Sequence, residues 1–179
     1  MIEVDQTALL IIDVQDRLYQ AMVEKELLAE RIEKLIRGIR ALGIPMIATE
    51  QYPQGIGPTI APVAALLAGV PIISKLSFSC CNDPGFFETF KALNRRQVII
   101  AGIECHVCVY QTTLDLLDQG YDVQIVADGV SSRTAWSRDV GLQRLRDEGA
   151  RLTSTEMVLF ELLKTAGAEK FREISQIIK

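Results

Sequence analysis

The sequence predicts an α/β fold of three layers, α/β/α, with a central parallel sheet of about six strands in a Rossmann-like arrangement. Three observations carry that prediction. Short apolar, branched runs alternate with longer stretches of 3.6-residue periodicity. The short runs are apolar on both faces, as buried parallel strands are when helices cover both sides. Each clear helical stretch stops at a glycine.

Taken in order, the strand candidates are Ala8–Val14, Pro45–Ala48, Val70–Ser74, Val98–Ala101, Val123–Val126 and the weaker Arg151–Thr153. Between the first two lies a stripe of Leu27, Ile32, Leu35, Ile36, Ile39 and Leu42, with Arg and Glu opposite and Gly43 as the stop. Leu114, Leu116 and Leu117 mark a helix closed by Gly120, and Val140, Leu142 and Leu145 mark one closed by Gly149. Strand–helix–strand repeats of this kind imply right-handed crossovers and a parallel sheet. No linker-like stretch or internal repeat divides the 179 residues, so residues 1–179 are read as a single domain.

A chain this long buries about 70% of its unfolded surface, so neither disulfides nor a structural metal is needed to hold it together. Lys plus Arg number 19 and Asp plus Glu 23, a formal charge of −4. That balance lacks the basic footprint of nucleic-acid or anionic-membrane binding. The N-terminus carries acids before its first apolar run and shows neither a signal peptide nor a membrane span, which makes a reducing cytoplasm the expected location. Cys80, Cys81, Cys105 and Cys108 are then expected to be free thiols.

In open α/β sheets ligands bind beyond the carboxyl ends of the strands. There the sequence places Asp13 and Gln15, then Thr49-Glu50-Gln51-Tyr52, then Lys75 with Ser77 and Phe78. The fourth run leads into Gly102-Ile103-Glu104-Cys105-His106-Val107-Cys108 and a helix reaching Gln119. A carboxylate, an ammonium and a thiol thus emerge at one rim. A helix start and a nearby Lys75 would both lower the Cys108 pKa, the lysine by about 4 kcal/mol at roughly 4 Å and an effective dielectric of about 20. Asp13 could accept the thiol proton and return it to a leaving amine.

Other readings of the same residues stay open. Asp13 could be a turn former, Lys75 solvated, and Cys80 or Cys81 a small buried hydrophobe. Cys105-His106-Val107-Cys108 has the spacing of a dithiol redox motif, and zinc is conceivable with Cys80 or Cys81 as further ligands. The single histidine, His106, is read as structural, and Asp128 and Arg133 as a loop ion pair and helix cap.

These strand-end residues resemble the isochorismatase-like (cysteine hydrolase) superfamily. The resemblance rests on Asp13-Val14-Gln15, on Lys75, and on Gly102 to Thr112, where Cys105 replaces the usual threonine. Thr49 to Gly55, Gly102 to Cys108 and Thr113 to Leu117 look most like the isochorismatase domain-containing subgroup. The resemblance covers essentially the whole chain. It implies an Asp13–Lys75–Cys108 triad acting on a small amide or related carbonyl compound through a thioester. It also implies an oxyanion hole of the Glu104 and Cys108 backbone N–H groups beside a cis peptide between Ile103 and Glu104. Homodimers or larger homo-oligomers are implied as well.

Nicotinamidases of the superfamily hold a metal with several histidines, which one histidine per chain cannot supply. The expectation is therefore a metal-independent, cofactor-free hydrolase whose substrate pocket includes Gln15, Tyr52 and Phe78. An interaction protein with a silent site, or a redox protein using Cys105 and Cys108, are the competing expectations.

Overall fold

The computed structural model describes residues 1–179. It begins with β1 (Thr7–Ile12), α1 (Asp16–Gln20), α2 (Lys25–Ala41) and β2 (Met46–Gln51). There follow α3 (Pro53–Ile56), α4 (Ala61–Leu66), β3 (Ile72–Lys75), α5 (Pro84–Ala92) and β4 (Gln97–Ile103). After a π-helical turn at Cys105–Val109 come α6 (Tyr110–Asp118), β5 (Asp122–Ser131), α7 (Ala135–Asp147), β6 (Arg151–Thr153), α8 (Thr155–Leu163) and α9 (Phe171–Ile178). No helix is long and apolar enough to cross a membrane.

All six strands are parallel and lie in the order β3-β2-β1-β4-β5-β6. Strand order therefore reverses between β1 and β4, and that crevice is where a doubly wound sheet presents its ligands. The alternation along β1 builds the three layers. Leu9 and Ile11 point into the layer formed with Leu28, Ile32 and Ile36 of α2 and Val158 and Leu159 of α8. Ala8, Leu10 and Ile12 point the other way, onto Phe86 and Phe90 of α5, Leu116 of α6 and Leu145 of α7. Each such Leu, Ile or Phe contributes about 1.5–3 kcal/mol by leaving water.

Helix ends follow local chemistry. Asp83 accepts from the Phe86 N–H ahead of Pro84, Thr134 from Ser137, and Ser154 from Met157. Gly43, Gly120 and Gly149 follow α2, α6 and α7 at positive φ, where the sequence places their stops.

Two expectations need correction. Leu27 of the predicted stripe is exposed, and Leu28 takes the buried position. The fifth strand does not end at Val126 but continues through Asp128-Gly129 to Ser131. The sequence places those residues in a loop after the strand. A register shift between Ile100 and Gly102 lets β5 absorb them and then pair Val130 with Gly102.

Gly102 is the closest approach in the crevice. Its φ is +129°, and a Cβ there would lie 2.1 Å from the Ile12 carbonyl oxygen of β1, which is backbone and cannot swing aside. Only glycine fits between these two strands.

Candidate active site

The chain leaves β1 with Asp13 at φ +52°, which turns its carboxylate into the interior at the carboxyl end of the sheet. Lys75 ends β3, two strands away, in register with Gln51 of β2. Its side chain crosses beneath that strand end, and Nζ lies 2.7 Å from Asp13 Oδ2 with both side chains wholly buried. The ammonium also reaches Gln51 Oε1 at 3.0 Å and the carbonyls of Ser77 and Phe78 at 3.2 Å each. The second carboxylate oxygen, Oδ1, accepts from Thr49 Oγ1 at 2.7 Å. Both charges are thus paired and hydrogen-bonded, the condition on which burial is tolerated.

Burial works to lower the Lys75 ammonium, but Asp13, Cys80 and Cys108 beside it carry it above the usual lysine value. Lys75 is thus held as an ammonium.

Cys108 approaches this pair from β4, across the crevice. The peptide between Ile103 and Glu104 is cis, and the Glu104 carbonyl then accepts from both Val107 and Val109, winding the π turn that holds Cys108. The structure changes the expected electrostatics of the sulfur. Burial first, and the Asp13 carboxylate after it, outweigh the opposing pull of Lys75 and together push the Cys108 thiol up to about 12. The thiol is therefore neutral at rest, not an anion held by a cation. The helix start does not rescue that expectation, because Cys108 precedes α6 and the Val109 N–H is already held by Glu104.

The remaining sequence-predicted residues separate into those at the site and those beside it. Glu104 is nearly buried, and its carboxylate takes Arg133 Nε at 2.9 Å. Tyr52, at φ +39°, lines a cleft of about 500 Å³ together with Ser74, Lys75, Ser77 and Asp83. Phe78 lies outside that wall with its ring half exposed, and contributes its carbonyl to Lys75. Gln15 is corrected from a pocket residue to a brace. It is buried, its amide nitrogen donates to the Gln51 and Gly57 carbonyls, and its oxygen accepts from the Gln51 N–H.

His106 Nδ1 meets Ser132 Oγ at 2.9 Å. Cys105, at the position usually threonine, is buried against α7, where a Cβ on Gly141 would come within 3.1 Å of its sulfur. Burial pushes its thiol up to about 12. Asp128 and Arg133 do not pair with each other. Asp128 accepts from the Thr155 N–H at the start of α8 and faces Arg31 at 3.7 Å, while Arg133 goes to Glu104.

The sequence places Thr49 and Gln51 at the rim but assigns neither a role, because neither titrates. The available signal was two polar side chains closing the apolar β2 run in register with Ile12 and Lys75. Thr112, whose hydroxyl accepts from the Cys80 N–H, ties the Cys80 turn to α6 in the same way. No three His, Cys, Asp or Glu side chains are gathered as a metal cradle would require.

A doubly wound α/β protein with a buried carboxylate–ammonium pair beside a thiol at its topological switch point is what sequence and geometry define together. The Isochorismatase domain family model matches residues 7–157, and the chain belongs to that family. It is 36% identical over 172 residues to isochorismatase domain-containing protein 2 of Xenopus laevis, covering 96% of this chain and 83% of that one. It is 34% identical over 177 residues to the secreted isochorismatase effector Isc1 of Phytophthora sojae, covering 97% and 84%. Among solved structures, the MAR1 ribonuclease of Caenorhabditis elegans superposes with a TM-score of 0.94 at 36% identity, covering 99% of this chain and 91% of that one.

Proposed function

We propose that the protein is a cysteine hydrolase that cleaves a small amide or related carbonyl compound, with Cys108 as nucleophile, Asp13 as proton carrier and Lys75 as its electrostatic partner. The observation that carries this reading is the wholly buried Asp13–Lys75 pair at 2.7 Å beside the Cys108 thiol. A neutral thiol next to a fixed carboxylate suits general-base catalysis, in which the proton leaves only as the bond to carbon forms.

In the first step the sulfur–hydrogen bond breaks toward Asp13, sulfur bonds to the carbonyl carbon, and the carbonyl electrons move to oxygen. The backbone N–H groups of Glu104 and Cys108 are the donors assigned to that oxyanion. Collapse breaks the carbon–nitrogen bond, and Asp13 returns the proton to the leaving amine. Water then attacks the thioester, giving its proton to Asp13, and the acid leaves as the sulfur is reprotonated. Lys75 keeps Asp13 oriented and balances its charge while the proton is absent. No step calls for a metal.

The C. elegans relative's name raises RNA as a different substrate. The cation beside the sulfur is buried and engaged by four acceptors, which leaves it poorly placed to hold a phosphodiester.

The test is turnover of a panel of small amides by the wild-type protein and Cys108→Ala, with hydroxylamine added to trap acyl groups. Turnover lost in the variant, with a hydroxamate formed only by the wild type, supports the reading. Amide turnover that survives in Cys108→Ala, or RNA cleavage without any amide turnover, overturns it.

A further inference from the structure

At the opposite, amino-terminal edge of the sheet lies a second cleft, of about 430 Å³, lined by Lys91, Asn94, Arg95, Arg96, Gln119 and Tyr121. Three of its six lining residues are cations and none is a carboxylate, in a chain whose formal charge is −4. The end of α5 supplies Lys91, the loop into β4 supplies Asn94 to Arg96, and the residues after α6 supply Gln119 and Tyr121. This cleft plays no part in the chemistry proposed above.

None of the three cations is in a salt bridge. Lys91 Nζ rests 4.0 Å above the centre of the Phe87 ring, which orients the ammonium without neutralising it. Arg95 is half-buried, and its Nε is shielded from solvent with no protein acceptor in reach. A sheltered guanidinium nitrogen with nothing to donate to is costly in a folded protein unless an acceptor arrives from outside.

A second cation-lined cleft on the α2/α9 face shows how these residues look when they serve only the surface. There Arg37 pairs with Glu33 at 3.2 Å, Lys170 with Glu173 at 3.0 Å, and Arg40 donates to the Leu66 carbonyl at 2.6 Å. At the amino edge no carboxylate lines the cleft; of the acids nearby in the chain, Asp122 is already paired with Arg151 at 3.3 Å, and Glu88 and Asp118 make no salt bridge to the three cations. Two helix C-termini contribute about half a charge each, less than three full positive charges.

We infer that the Lys91–Arg95–Arg96 cleft is a binding site for a small multivalent oxyanion of the phosphate or pyrophosphate type. Guanidinium groups grip such anions in a fork while an ammonium adds a point charge. The Gln119 amide and the Tyr121 hydroxyl add neutral donors at the same wall.

The experiment is calorimetric titration of the full-length protein with inorganic pyrophosphate at low salt, repeated at rising salt. Saturable one-site binding that weakens with salt is expected. Arg95→Gln is expected to weaken it about tenfold, the loss of one charge-assisted hydrogen bond, and the wholly surface variant Lys91→Gln in the same direction. Arg37→Gln, in the paired cleft, is expected to leave it unchanged. No saturable binding, or binding indifferent to both Arg95→Gln and Lys91→Gln, overturns the assignment. So does binding of a single-stranded RNA oligonucleotide without binding of pyrophosphate. Thermal melting of each variant verifies the fold before titration.

Discussion

Two ion pairs stand within one crevice and have nearly the same length. Asp13 and Lys75 meet at 2.7 Å with neither side chain exposed, whereas Glu104 and Arg133 meet at 2.9 Å with Arg133 63% exposed. Distance does not separate them, but solvent does. Around the first pair the low dielectric makes an unpaired charge prohibitive, so each partner depends on the other being present. Around the second, water can replace either partner, and the attraction is largely screened. The inner pair sets the charge state next to the sulfur. The outer pair ties the Glu104 end of the π turn to the loop after β5.

The strongest way to break that contrast is Lys75→Met, which leaves Asp13 buried without a cation. Loss of about 3–5 kcal/mol of stability is expected, measured by urea unfolding. A cost below about 1 kcal/mol would mean that Asp13 is solvated after all. Thr49→Val removes the other partner of the carboxylate while keeping the shape, and should cost about 1.5–3 kcal/mol by the same measurement.

The state of the sulfur gives the next test. With Cys108 pushed up to about 12, iodoacetamide labelling should climb roughly tenfold per pH unit between pH 7 and pH 10 without levelling off. A plateau below pH 8 would restore the anionic sulfur. All four thiols are raised, Cys80 to about 11 and the others to about 12. Their contribution to stability is therefore intact below the ordinary thiol value of about 8.5 and is lost as pH rises toward the folded values. The smallest effect belongs to the outer pair. Arg133→Ala should change stability by no more than about 1 kcal/mol, and less still in high salt.

The same contrast explains what could be read from the chain alone. Asp13, Lys75 and Cys108 were legible because polar residues at the ends of apolar runs must gather at one edge of a parallel sheet. The six strands were legible for the same reason, as apolar punctuation between helical periods. The charge state of Cys108 was not legible, because it depends on whether the nearby lysine or the nearby carboxylate weighs more, a three-dimensional quantity. Gln15 looked like a pocket residue because it follows β1, and only folding shows its amide closed onto the backbone of Gln51 and Gly57. Likewise Asp128-Gly129 carries turn chemistry locally, and only the pairing of Val130 with Gly102 extends the strand across it.

The contact of Gly102 with the Ile12 carbonyl has a consequence for how the reactive groups are spaced. Asp13 follows Ile12 directly, and Cys108 follows Gly102 through the π turn, so the spacing between the proposed proton carrier and the sulfur depends on how closely β1 and β4 approach at this pair. Even a methyl group at position 102 would act as a shim between the two tracks, widening the gap with every reacting side chain still present.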